Sequence, residues 1–337
     1  MRLLSAALFA ASILIATAVP AAAQTLKFGT LAPEGSPWYA IARDMADDWK
    51  KRSGGKVDVR IYPGGVAGDD PDMVRKMRIG QLQMAGLTGE ALRRIVPEIN
   101  ALQLPLLLTS DAEFDYVRDR VSPEIEALLE AKGFKLLAWA DVGWVQFFTA
   151  HPVIRPDDLK SEKLWSWTEE DSVYLEAWKA AGYRPVPLPS TEIYTGLQSQ
   201  LITAVMTTPT AALSFQWYGK ANHMTDFNWA RFVGGVVITT KAWQEIPDAL
   251  KPALLESARA SGKRLQGLVG KLNVDAIAAM QKRGLVVEHV PAATAAEWEQ
   301  RTRALAYPRL IGTAVPTAMF TRVEQLRDEY RKSRSQN

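Results

Sequence analysis

The chain has 337 residues, 47% hydrophobic and 23% charged, the balance of a folded globular protein with enough apolar material for a sizeable core. Lys and Arg number 40 against 37 Asp and Glu, a formal charge of +3, too small and too evenly spread for nucleic-acid binding. Cysteine is absent, which excludes disulfides, thiolate metal sites and cysteine nucleophiles.

The first residues read as an address. Arg2 is the only charge before Lys27, Leu3–Ala18 is an apolar run, and Pro20-Ala21-Ala22-Ala23 offers a small-residue cleavage site before Gln24. This is the pattern of a Sec-type signal peptide over residues 1–23. The apolar run is shorter than the ~20 residues needed to span a bilayer. With no cysteine behind it, lipidation is excluded, so the chain from Gln24 onward is expected to be soluble outside the inner membrane.

Short apolar strands then alternate with amphipathic helices. Thr25–Leu31 reads as a strand, and Ser36-Pro37 opens a helix with Trp38, Ile41, Met45 and Trp49 on one face. Gly54-Gly55 ends it, Val57–Ile61 alternates as a strand, Asp70 caps a helix closed by Gly80, and Leu82–Leu87 is strand-like. This βαβαβ order predicts a mostly parallel sheet covered by helices. Further on, Asp111–Lys132 is predicted helical, with strands at Phe134–Ala140 and Val145–Ala150. A strand at Lys163–Trp167, a helix at Asp171–Ala181 and a strand at Arg184–Leu188 follow. Thr191–Ser199 reads as helix, Leu201–Met206 as strand, Ala211–Lys220 as helix and Arg231–Thr240 as strand. Pro247–Arg283 predicts a helix of ~55 Å at 1.5 Å per residue, long enough to brace two lobes. No low-complexity linker separates the halves, so strands are expected to join them.

Enzyme signals are poor. His151, His223 and His289 have no metal-ligand spacing, and no G-x-S-x-G elbow, P-loop or G-x-G-x-x-G occurs. Asp69-Asp70 with Asp72 is read as a helix start, and Glu169-Glu170-Asp171 as a solvated helix start or a polar cleft wall. The eleven tryptophans are the stronger chemical signal. Trp38, Trp49 and Trp178 sit at helical spacing and read as core, whereas Trp144, Trp165, Trp167, Trp217 and Trp229 fall at strand ends or in loops, where open α/β sheets build sites. Trp165 and Trp167 alternate on one strand and share a face, giving either a buried sheet face or a flat aromatic wall suited to a small organic ligand.

In chain order, Phe28–Ser36 (FGTLAPEGS), Val59–Gly65 (VRIYPGG), Met77–Met84 (MRIGQLQM), Asp157–Trp165 (DDLKSEKLW) and Gly196–Ile202 (GLQSQLI) resemble the DctP-type solute-binding proteins of tripartite ATP-independent periplasmic (TRAP) transporters. The resemblance covers essentially the whole chain after the signal peptide. It implies a two-lobed α/β periplasmic binding protein (type II-like), with mostly parallel sheets, strand crossovers and a long bracing helix, matched by Pro247–Arg283. It implies capture of a small organic ligand in the cleft and delivery to a permease of small and large membrane subunits. No catalytic residue, cofactor, metal or nucleic-acid partner is expected, and the protein is expected to act as a monomer. The lobes are expected at 24–149 with about 236–284, and at 150–235, with 285–337 packing across them.

Two positions depart from the resemblance. The strand after Asp-Leu-Lys usually carries an arginine for the ligand carboxylate, and here that position is Trp165; the usual acid after Gln200-Leu201-Ile202 is Thr203. A carboxylate without a charged partner is costly to bury. The substitution points to a more apolar or aromatic ligand, or to an acid held by neutral donors such as Thr88, Gln146, Thr207 and Thr208. The expected cleft residues are Trp38, Thr88, Trp144, Phe147, Trp165, Trp167, Thr208 and Trp217. The alternatives are a sensor that shows its closed form to a receptor and, more remotely, a periplasmic enzyme.

Overall fold

The structure is a computed structural model describing residues 23–167 and 172–335. Residues 1–22 of the expected signal peptide, and Glu169-Glu170-Asp171, lie outside the described residues.

The chain begins with strand β1 (Gln24–Thr30), helix α1 (Pro37–Arg52), β2 (Val57–Tyr62), α2 (Asp70–Arg78), β3 (Met84–Thr88) and α3 (Gly89–Ile95). Ser36 caps α1 by accepting from the Tyr39 amide, and the helix buries Met45, Ala46 and Trp49. The cap of α2 is Asp69, one residue earlier than expected; Asp70 starts the helix and is fully buried. β1 pairs in parallel with β2 and β3.

α4 (Asp111–Ala131) leads into β4 (Phe134–Thr149). The sequence predicts two strands in this stretch, and the structure has one of 16 residues. Register shifts at Leu136/Ala138 and Asp141/Gly143 bend it and break the alternation that would have marked it as continuous. Gly143 has φ 110°, and a Cβ there would meet Asn273 Nδ2 at 2.3 Å, so the second bulge requires glycine.

The next elements are β5 (Lys163–Ser166), α5 (Ser172–Ala180), β6 (Arg184–Pro187), α6 (Ile193–Gln198), β7 (Ala204–Thr207) and α7 (Pro209–Ser214). The helix expected over Ala211–Lys220 stops early because Gln216 adopts a left-handed conformation (φ 59°), and a short 3-10 turn at Trp217–Gly219 follows. β8 (His223–Thr225), β9 (Ala230–Thr239), α8 (Thr240–Glu245), α9 (Lys251–Gln281) and β10 (Val286–Glu288) come next, and α10 (Ala292–Leu305), α11 (Tyr307–Leu310) and α12 (Thr317–Ser335) close the chain. None of the described helices is long and apolar enough to cross a membrane.

The strand order is β2-β1-β3-β9-β4-β7-β5-β6, with β8 beside β4 and β10 beside β8. All the antiparallel pairings involve β4 or β9; the others are parallel. β4 runs against β9 as far as Val145, opposite Ala230, and from Gln146, opposite Thr207, it runs against β7. A single strand therefore belongs to both halves of a two-lobed α/β protein. α9, 31 residues long, packs on β4, α1 and α7. Its first half puts Leu254 and Ala258 into the core around Trp49, and its last turns put Ala276 and Met280 into the core around Trp165 and Trp217. Asn273 Oδ1 accepts from both the amide and the hydroxyl of Thr210, tying α9 to the second lobe.

Candidate functional site: the interlobe cleft

A cavity of about 290 Å³ opens between the halves. β1, β3 and α1 supply Thr30, Thr88 and Trp38; the β5 and β7 side supplies Trp165, Trp167 and Thr207; and α9 supplies Ser261 and Leu265. The crossing strands form its back wall. Phe232, Gly234 and Val236 alternate along β9 and face it from one side of the strand, with Trp139 beside them on β4. At Gly234 a Cβ would meet the Leu87 carbonyl oxygen at 2.7 Å, so the close approach of β9 to β3 behind the cavity also requires glycine.

Aromatic rings dominate the lining. The Trp165 and Trp167 centroids lie 4.4 Å apart with planes tilted by 56°, and Phe232 stands 6.2 Å from Trp167. Phe215 stacks on Trp217 at 4.8 Å. Trp165 is fixed by its indole N–H, which donates to the Leu188 carbonyl at 3.0 Å. Trp38 Nε1 and Trp167 Nε1 are buried and have no acceptor. Among the described lining residues none carries a charge.

Behind Thr88 lies the fully buried Asp70, whose carboxylate accepts from the Thr88 hydroxyl. Burial pushes its pKa up to about 7, with the carboxylates of Asp69 and Glu90 adding to the shift and the Thr88 hydroxyl opposing it. Its neighbour Asp69 joins the lobes: the Ser190 amide donates to Oδ2 at 2.8 Å and the Ser190 hydroxyl to Oδ1 at 2.6 Å. The lobes also touch at Gly65, where a Cβ would lie 2.9 Å from Thr191. These contacts link the two sides of the cleft at its rim. Charge-assisted bonds of this kind contribute about 1.5–3 kcal/mol. Ser190→Ala is therefore expected to lengthen the interlobe distance. Spin labels at cysteines introduced at the exposed positions Ile79 and Leu201 measure it, cleanly because the chain has no cysteine of its own. An unchanged distance distribution would remove the latch.

Of the expected residues, the cavity gathers Trp38, Thr88, Trp165, Trp167 and Trp217, along with the neutral donor Thr207. Three lie elsewhere. Trp144 donates its indole N–H to Asp111 at 2.8 Å and covers the Arg231 guanidinium at 5.2 Å. Phe147 lies in β4, inside the strand expected over Val145–Ala150, and is fully buried in the core, stacked on Trp298 at 5.3 Å. Thr208 is buried and spends its hydroxyl capping α7. Gln146 turns to Asn228 at 3.1 Å. Each histidine has one carboxylate partner at 2.7 Å: Glu162 for His151, Glu288 for His223 and Asp226 for His289. Among the described residues no group of three or more His, Asp or Glu is placed to hold a metal ion. Trp139, Tyr194, Phe215 and Phe232 line the cavity without having been anticipated; the two-residue spacing Phe232-Gly234-Val236 on an expected strand was a signal left unread for one of them.

The profile of DctP, bacterial extracellular solute-binding protein family 7, matches residues 28–307. The chain is 26% identical over 289 residues to the 2,3-diketo-L-gulonate-binding periplasmic protein of Escherichia coli, covering 85% of this chain and 88% of the relative. It is 24% identical over 305 residues to the C4-dicarboxylate-binding periplasmic protein of Rhodobacter capsulatus, covering 89% and 91%. Among solved structures, the sugar-acid-binding protein of Advenella mimigardefordensis in complex with galactonate superposes with a TM-score of 0.85 at 17% identity, over 91% of this chain and 98% of that one. A TRAP periplasmic solute-binding protein of Ralstonia eutropha with bound acetolactate gives 0.83 at 22% identity, over 90% and 99%. The fold, the interlobe cavity and the matched span agree: this chain belongs to bacterial extracellular solute-binding protein family 7, the DctP family of TRAP solute-binding proteins.

Proposed function

We propose that the protein is exported by its signal peptide, stays unlipidated in the periplasm, and as a monomer captures a small organic solute between its lobes. It then hands that solute, unchanged, to the small and large membrane subunits of a TRAP permease. We divide the chain into one lobe of residues 24–149 with about 236–284, a second of 150–235, and a C-terminal segment of 285–337 across them. The observation that carries this reading is the cavity whose walls come from both sides of the crossing strands β4 and β9. Closure follows when a solute touches both walls, because only the closed form offers all the contacts at once. The named relatives bind a diketo sugar acid and C4-dicarboxylates, which supports a small oxygenated solute as the cargo.

The test is a thermal-shift screen of the chain from Gln24 onward, with mass spectrometry of whatever co-purifies. The library pairs mono- and dicarboxylates with aromatic and apolar compounds of similar size. A solute at 100 times its Kd adds about 2.7 kcal/mol of stability. Trp165→Ala should weaken binding of the best hit by tenfold or more, with Trp165→Phe retaining part of it; unchanged affinity would take Trp165 out of the site. Chemical conversion of the hit on incubation would make the protein an enzyme instead.

A further inference from the structure

We propose that the cleft selects an uncharged, largely apolar cyclic solute bearing a hydrogen-bond-accepting oxygen, and discriminates against organic-acid anions. The inference rests on the cleft being the solute site. It follows from charge, hydrogen bonding and shape together.

Charge comes first. The described walls contain no Arg, Lys or His. The buried cation of the crossing strands, Arg231, is already held by Asp111 and Asp141. An anion in this cavity would leave water without a counter-charge, a loss that neutral donors alone do not offset.

The hydrogen bonds left open are donors. Trp38 on α1 and Trp167 just after β5 both line the cavity and pack against the core around Trp165 and Trp217, and both bury an indole N–H with no acceptor. A buried orphan donor is a standing cost that an acceptor on the ligand relieves. A carbonyl or ether oxygen that reaches either donor gains a bond that the empty cavity leaves unmade. The same two donors disfavour a cation, although the rings alone would attract one. The tilted Trp165–Trp167 pair and Phe232 then offer faces to a flat or cyclic skeleton.

The experiment uses two isosteric pairs, acetophenone with benzoate and cyclohexyl methyl ketone with cyclohexanecarboxylate. Each is titrated calorimetrically into the protein, with tryptophan fluorescence as a second readout. The ketone is expected to bind at least tenfold more tightly than its carboxylate in each pair. Trp38→Phe and Trp167→Phe, which keep a ring and remove the N–H, are expected to loosen the ketone about fivefold or more. Ligand-free thermal midpoints are measured alongside, since each change also removes ring area packed against the core around Trp165 and Trp217. Carboxylates that bind as tightly as the ketones, or more tightly, overturn the proposal and leave solute capture in the cleft standing. Ketone affinity unchanged in both variants overturns the role of the indole donors. Silence from every compound at millimolar concentration, with the protein folded, overturns both the selectivity and the cleft as the solute site.

Discussion

Arg231→Ala is expected to lower the stability of the folded chain by about 3–5 kcal/mol, the usual result of breaking a buried ion pair from one side. The Arg231 and Asp141 side chains are only 3% and 2% exposed. Arg231 also reaches Asp111 at the start of α4 and lies under the rings of Phe114 and Trp144. Burial already pushes the Asp141 carboxyl above its ordinary range despite the guanidinium beside it. Removing Arg231 takes the direct ion-pair partner from that carboxyl and unties β9 from α4. Replacing both partners, as Arg231→Met with Asp141→Leu, should recover most of the loss, since no lone buried charge then remains. Urea denaturation measures both. A single variant within about 1 kcal/mol of the parent would show that the crossing does not depend on this pair.

The second large effect depends on pH. Asp70 titrates at about 7 in the folded chain against an ordinary value of 3.8. Between those values the folded state holds a proton that the unfolded state has released, so stability must fall as pH rises through this window. The full contribution is present below the ordinary carboxylate range and is lost once pH passes the folded value. At 1.36 kcal/mol per pH unit the fall approaches about 4 kcal/mol. Other groups titrate in the same window, and subtracting an Asp70→Asn variant isolates the Asp70 part. Asparagine resembles the neutral acid in shape, so the variant should lack this slope and be the more stable protein above neutral pH. A parent-minus-variant difference that stays flat across the window would mean that Asp70 is ionised in the folded state.

Much of this architecture was legible in the residues. The Trp38-Ile41-Met45-Trp49 spacing, the Ser36-Pro37 start and the glycines after the helices sufficed for α1, α4 and most of α9, because local chemistry decides those ends. Continuity of β4 was hidden because its bulges interrupt a period-two signal, and one of them packs against Asn273 on α9, far away in sequence. β8 and β10 have three residues each, too few to show any period. The aromatic wall of Trp165 and Trp167 could be read from their alternation on one strand. Trp144 was misplaced because a gap between two strands was expected beside it, where β4 runs on. Phe147 lay inside an expected strand, and the face it presents to the core around Trp298 could not be read from that strand alone. Thr208 looked like a free donor because a helix cap and a ligand contact draw on the same residue types.

The route of β9 also bears on how the protein acquires its structure. Met84 of β3 finds its partner in Ile238, and Phe134 of β4 finds its partner in Thr239. A chain that emerges N-terminus first presents β3 and β4 before the strand that lies between them. Until then both carry open edges, ready to pair with any other extended segment. Neither lobe is therefore an independent folding unit, and refolding belongs in the slow range typical of non-local topologies. A truncation at any point before residue 239 should yield an aggregating chain in place of a working half-molecule.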